Sequence, residues 1–162
     1  MKLLKVGLTF AVVLLAVNAQ AATTTTTFQV TATVNSACTV SATDLAFGIY
    51  DPSAAANNNT STVTVTCTKA TAYDIGLDKG LYGAATTTRQ MKHATLADLI
   101  NYSLSSVVTQ ASNWGDVVGT DTVHVASATG AAEPHTVYGR IATGQYVTAG
   151  SYADTITVTI TY

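Results

Sequence analysis

Apolar and polar residues alternate along much of this chain with a period of two. In "STVTVTC" (61–67), Val63, Val65 and Cys67 share one face; in "DTITVTITY" (154–162), Ile156, Val158, Ile160 and Tyr162 do the same, with threonines opposite. Successive side chains of a strand point to opposite faces, so both stretches predict half-buried strands of antiparallel sheets. Weaker alternation predicts further strands in "AYDIGL" (72–77), "LINYSLSSVV" (99–108), "TVHVA" (122–126) and "TVYGRIA" (136–142). Threonine occurs 31 times, often interleaved with valine and isoleucine. β-Branched side chains pack well on a pleat and lose freedom in a helix, so composition and pattern agree.

Turn chemistry punctuates these runs: "DPS" at 51, "NNN" at 57, "DKG" at 78, "NWGD" at 113, "ATG" at 128 and "TAGSY" at 148. Short strands at this spacing predict an all-β sandwich of immunoglobulin-like, Greek-key form. Only "MKHATLADLIN" (91–101) has the look of a helical turn or two, and "SAAANNNTS" (53–61) reads as a surface loop. No tandem repeat or linker divides the chain.

The start of the chain carries a different pattern. Lys2 and Lys5 precede an apolar run from Val6 to Val17, and small residues at Ala19 and Ala21 suit signal peptidase, predicting a signal peptide over 1–21. The run is shorter than the roughly 20 residues a spanning helix needs, so the mature chain is expected to be exported without membrane insertion. Export changes the reading of the two cysteines. In an oxidising compartment Cys38 and Cys67 are expected to form one bridge, closing a loop of about 30 residues and stabilising by roughly 3–4 kcal/mol.

Beyond the signal, five basic residues face nine acidic ones, a formal charge of −4. That balance argues against nucleic acid and anionic membranes as partners. Charged residues make up only 10% of the chain, so the surface must be covered by Thr, Ser, Asn and Ala, a composition suited to packing against copies of itself. Catalytic signatures are missing: His93, His124 and His135 lack metal-ligand spacing, and no nucleophile, phosphate-binding or zinc motif occurs. Asp74, Asp78, Asp98 and Asp116 lie beside turns, where aspartate accepts local backbone hydrogen bonds. No catalytic residue, metal or cofactor is expected. Trp114, the single tryptophan, is expected to tuck over an end of the sandwich; exposed, it would instead offer a carbohydrate platform.

In order along the chain, "CTV" (38–40), "LAFGIYDP" (45–52), "STVTVTCT" (61–68), "AYDIGLDKG" (72–80), "RQM" (89–91), "LINYSL" (99–104), "WGD" (114–116) and "GSYADTITVTITY" (150–162) resemble the spore coat protein U domain family. Within it, they resemble the Csu-type pilins of archaic chaperone-usher pili. The resemblance implies an incomplete sandwich over 37–162 that lacks its last strand, preceded by a donor-strand extension over 22–36. Phe28, Val30, Ala32 and Val34 would then enter a neighbour's groove; without the resemblance they read as the first strand of a complete sandwich. Burying the three larger ones would contribute roughly 5–8 kcal/mol.

The same resemblance assigns Ile156, Val158, Ile160 and Tyr162 to the strand that borders the groove and meets a chaperone, and the end at Tyr162 accords with a missing last strand. Implied partners are a periplasmic chaperone, an outer-membrane usher and copies of the chain or related pilin subunits. The implied function is a non-enzymatic subunit of an adhesive pilus serving attachment and biofilm formation. The implied route runs through the periplasm to the cell surface, and a single domain implies a rod or shaft subunit rather than a tip adhesin. A secreted spore or cell coat protein of the same family is the alternative, and a small carbohydrate-binding module using Trp114 a second; a hydrolase would need a Ser or Asp bonded to a histidine in a cleft.

Overall fold

The alternating stretches form strands in the computed structural model of the protein, which describes residues 20–162. They are β1 (Cys38–Ala42), β2 (Asn57–Cys67), β3 (Tyr73–Leu77), β4 (Arg89–His93), β5 (Leu99–Ser105), β6 (Val123–Val125), β7 (Glu133–Ile141), β8 (Tyr152–Ala153) and β9 (Val158–Thr161). One sheet has the order β1-β2-β7-β5-β4-β8 and the other β6-β3-β9, with antiparallel pairing throughout. No helix occurs among the described residues. The fold is an all-β, incomplete immunoglobulin-like sandwich.

The chain divides at Thr33 and Val34. In the leading unit, residues 20–33 carry no strand, and Phe28 and Val30 are exposed. The expected signal peptide falls mostly on residues 1–19, outside the described residues. In the body, the two sheets enclose Val63, Val65, Ile75, Leu77, Leu104 and Val137, all buried. These are the in-facing members of the period-two runs, and burying each contributes about 1.5–3 kcal/mol. Cys38 and Cys67 face each other across the β1–β2 ladder and are joined by a disulfide.

Three expectations give way to tertiary structure. Residues 91–101 form no helical turn: β4 and β5 make a hairpin in which Arg89 faces Tyr102 and Lys92 faces Leu99. The turn's N–H groups at Thr95 and Leu96 donate to His93 Nδ1, each at 3.1 Å, which satisfies them without a helix. The run 53–61 is not all loop, because β2 begins at Asn57. The Asn57 amide donates to the Phe47 and Ile49 carbonyls at 2.9 and 3.0 Å, and the Asn59 amide to Ala46, so these side chains tether residues 46–49 in place of a ladder. The terminal stretch 154–162 is interrupted as well. Asp154 Oδ1 accepts from the Leu81 and Thr155 N–H groups at 2.8 Å each, which leaves residues 154–157 irregular between β8 and β9.

Candidate functional site

The sandwich is open along one seam. β1 pairs with β2 and β9 pairs with β3, and neither has a strand on its other edge among the described residues. Between them runs a cleft of about 410 Å³. Leu45 and Phe47, just past β1, form one lip, while Ile156 and Val158 form the other; Val63, Leu77, Leu104 and Val137 line the interior. The four lip residues are only partly buried, although they pack on the core. An apolar trough flanked by unpaired strand edges can take up an extended segment whose alternate side chains point inward, with ladder hydrogen bonds at its margins.

Polar cross-links hold the trough's shape where apolar packing is incomplete. Tyr102, on β5, lines the cleft, packs edge-on against Phe47 with ring centroids 6.3 Å apart, and donates its hydroxyl to Asp154 Oδ2 at 2.7 Å. Burial, then the Asp154 carboxylate, pushes the Tyr102 phenol well above its ordinary value, so it remains a donor. Tyr152 stacks edge-on against His93 at 5.0 Å, and a Cβ on Gly150 would lie 2.1 Å from His93 Nε2. The sequence "G-S-Y-A-D" at 150–154 therefore has a physical reading: room for a histidine, a cleft-lining ring, and a carboxylate tying β5 to the mouth.

Arg89, which faces Tyr102 in the β4–β5 ladder, is fully buried. Its Nε donates to the Asp78 carbonyl at 2.7 Å, Nη1 to Thr86 at 2.8 Å, and Nη2 to Leu77 and Trp114, both at 2.7 Å. Burial lowers its pKa, offset by Tyr102 and nearby aspartates, and arginine keeps its charge. The Trp114 indole, 1% exposed, donates to the Ile75 carbonyl at 2.8 Å, and its backbone N–H donates to Leu104 at 3.0 Å. A Cβ on Gly115 would lie 1.9 Å from Asp121 Oδ2 and displace the carboxylate that accepts from the Val117 N–H at 2.9 Å, which gives the glycine of "WGD" a steric role. Together these groups stitch β3 of one sheet to β4 and β5 of the other.

The residues singled out from sequence are distributed as follows. Ile156 and Val158 line the cleft, Ile160 faces Ile75 in the β3–β9 ladder and packs on the core, and Tyr162 is exposed. Phe28, Val30, Ala32 and Val34 are exposed and belong to no strand. Trp114 lies in the core and offers no carbohydrate platform. Two histidines do meet carboxylates or phenols. His124 Nδ1 lies 3.1 Å from Asp74 Oδ2, but its side chain is 59% exposed on the sheet face rather than in a cleft. Tyr73 donates to Glu133 Oε2 at 2.5 Å and lies 3.0 Å from His135 Nε2, a clasp between β3 and β7. Pattern reasoning missed Leu45, Phe47, Tyr102 and Arg89. Alternation in "LAF" was the available signal for the first two; nothing local marks a buried arginine.

The spore coat protein U domain model matches residues 24–159. Protein U of Myxococcus xanthus is 34% identical over 159 residues, covering 89% of this chain and 88% of that protein. The fold is shared with a chain of the CsuC-CsuE chaperone-tip adhesion subunit pre-assembly complex from archaic chaperone-usher Csu pili of Acinetobacter baumannii, with a TM-score of 0.56 and 23% identity. That match covers 80% of this chain and 40% of the other, so this chain spans well under half of it. The domain is a structural one, not that of an enzyme. A family match over residues 24–159 and 34% identity to Protein U make this protein a member of the Spore Coat Protein U domain family.

Proposed function

We propose that the protein is a structural subunit of a chaperone-usher surface fibre that polymerises by donor-strand complementation. The observation that carries this reading is the apolar cleft between two unpaired strand edges, in a chain that itself contains an unused alternating segment. Residues 1–21 act as the signal peptide, 22–36 as the donor extension and 37–162 as the acceptor domain. Phe28, Val30, Ala32 and Val34 span about 20 Å when extended, with all four side chains on one face. Inserted in a neighbour's cleft, they meet the Leu45 and Phe47 lip on one side and Ile156 and Val158 on the other. Before assembly a periplasmic chaperone covers the same seam, contacting the strand that bears Ile156, Val158, Ile160 and Tyr162, and an outer-membrane usher exchanges it for the next subunit. The fibre is displayed at the cell surface and serves attachment and biofilm formation.

Deletion of residues 22–34 tests this. Co-expressed with the cognate chaperone, the truncated chain should form a soluble 1:1 complex that cannot polymerise, while the full mature chain forms fibres. A truncated chain that is stable and monomeric alone would refute the incomplete-sandwich reading. The kinship to Protein U and the family's description favour a second assembly, a coat of strand-exchanged subunits around a cell or spore. Electron microscopy of expressing cells separates the two as discrete filaments or a continuous layer.

A further inference from the structure

A second cleft of about 390 Å³ opens on the six-stranded sheet at β5 and β7, with Tyr102 between it and the apolar seam. Thr87, Thr88, Asn101, Ser103, Gln110 and Arg140 supply most of its polar lining, with the buried Arg89 and Tyr102 at its floor. Ser103 and Arg140 sit directly opposite each other in the β5–β7 ladder. No carboxylate contributes to the lining, although acidic residues outnumber basic ones in the chain. Arg140 is exposed and forms no ion pair among the described residues.

The hydrogen-bond state of the lining decides what it can accept. Asn101 Oδ1 is already taken by the Gln90 amide at 2.9 Å, and Gln110 Oε1 by the Ser103 hydroxyl at 3.2 Å. The Gln110 amide is fixed on the Tyr138 carbonyl at 2.9 Å, and Gln145 clamps the Asn101 backbone through both its N–H and its C=O, at 2.7 and 2.9 Å. What remains unengaged is mostly donors: the Arg140 guanidinium fork, the Asn101 side-chain amide and the Thr87 hydroxyl. Arg89 also lines the cleft but spends its donors on the Asp78, Thr86, Leu77 and Trp114 carbonyls, which leaves Arg140 as the available guanidinium. A rigid, donor-rich cleft of this charge selects a ligand rich in acceptors and negatively charged, and a guanidinium matches a carboxylate bidentately. The volume is that of a small-molecule site, and its one aromatic ring, Tyr102, is buried against Phe47 and bonded to Asp154, so it offers no face for stacking a neutral sugar.

From this we infer that the second cleft binds the uronic acid units of acidic saccharides, with the sugar carboxylate on Arg140 and ring hydroxyls on Asn101, Ser103 and Thr87. The groups that would hold the ligand, Asn101, Ser103 and Arg140, alternate with the buried positions of β5 and β7 and so face away from the apolar seam, although Tyr102 borders both clefts.

Calorimetric titration of the assembled mature chain with oligogalacturonate tests it. Binding is expected, weakening as ionic strength rises. Arg140→Ala should weaken it at least about tenfold, the loss expected for a charge-assisted hydrogen bond. Arg140→Lys, which keeps the charge without the fork, should fall between. Asn101→Asp, which places a carboxylate in the cleft, should weaken it as well. Unchanged Trp114 fluorescence and unchanged assembly confirm that the variants fold. Galacturonate monomer binding as tightly as the oligomer assigns the site to free sugar acids, and tighter oligomer binding to matrix polysaccharide; both support the inference. Binding indifferent to Arg140→Ala overturns it. So does equal binding of a neutral galactan oligomer, inorganic phosphate or oligoglutamate.

Discussion

The Trp114 end and the β9 seam are built from the same two sheets by the same alternation, yet one is sealed and the other open. At the Trp114 end the indole is 1% exposed, and the buried Arg89, on β4 of one sheet, bonds the Leu77 carbonyl of β3 in the other and the Trp114 carbonyl. At the seam Ile156, Val158, Leu45 and Phe47 are left half-covered beside a cleft of about 410 Å³. The contrast shows how a domain with an unfinished core can keep one shape. Apolar packing is non-directional and would let an incomplete sandwich slump shut. Hydrogen bonds from Arg89, Trp114 and Tyr102 are directional, and each fixes where a strand lies even where packing is missing.

Breaking the sealed end should have the largest effect. Arg89→Met strands the buried carbonyls of Leu77 and Trp114 and the part-buried ones of Asp78 and Thr86, and is expected to destabilise by about 3–5 kcal/mol. Urea unfolding of the domain with a 22–36 peptide bound measures it. Replacing both Cys38 and Cys67 with serine frees β1 from β2 across a separation of 29 residues, costing about 3–4 kcal/mol in the same assay.

The open side is sharpened by changes that spare the core. Val158→Asp places a charge on the cleft lip and should weaken 22–36 peptide binding by about 2–4 kcal/mol, whereas Thr159→Asp, on the exposed face of β9, should leave it nearly unchanged. Phe28→Ala in the peptide removes its largest apolar group and should cost about 1.5–3 kcal/mol of binding, read by fluorescence titration. Equal tolerance of the two β9 substitutions would show that the seam is not where the peptide docks.

Acidification should have the smallest effect. The Tyr73 hydroxyl, with the Thr129 N–H, holds the Glu133 carboxyl below its ordinary range, while burial lowers the His135 pKa against the opposing Glu133 charge. Both folded values are depressed, so the unfolded chain binds these protons more readily. The stability they contribute is complete above the ordinary histidine value and is lost in two stages as pH falls, first through His135 and then through Glu133. Glu133→Gln should flatten the acid limb of a melting-temperature profile and leave the neutral plateau lowered.

Much of the fold was legible from alternation alone. Val63, Val65 and Cys67, and likewise Tyr73, Ile75 and Leu77, face inward as their spacing demands, because a strand's two faces are fixed by chain geometry. Departures arose where a side chain's hydrogen bonds to the backbone, local or long-range, overrode a local preference. His93 capped the 94–97 turn, Asn57 and Asn59 held the 46–49 segment, and Asp154 interrupted the last strand. The cleft was legible only on its β9 side. Leu45 and Phe47 sit in a stretch with no strand of its own, and Arg89 looked like any surface cation.

Sequence by itself determined the all-β class, the in-facing residues and the cysteine partners, because side-chain period and residue type act over a few positions. Only tertiary structure decided that the sandwich stops short at β1 and β9, that Trp114 is sealed inside, and that an arginine sits in the core. Whether an edge is paired depends on which segments from far along the chain arrive beside it, and on the hydrogen bonds they bring.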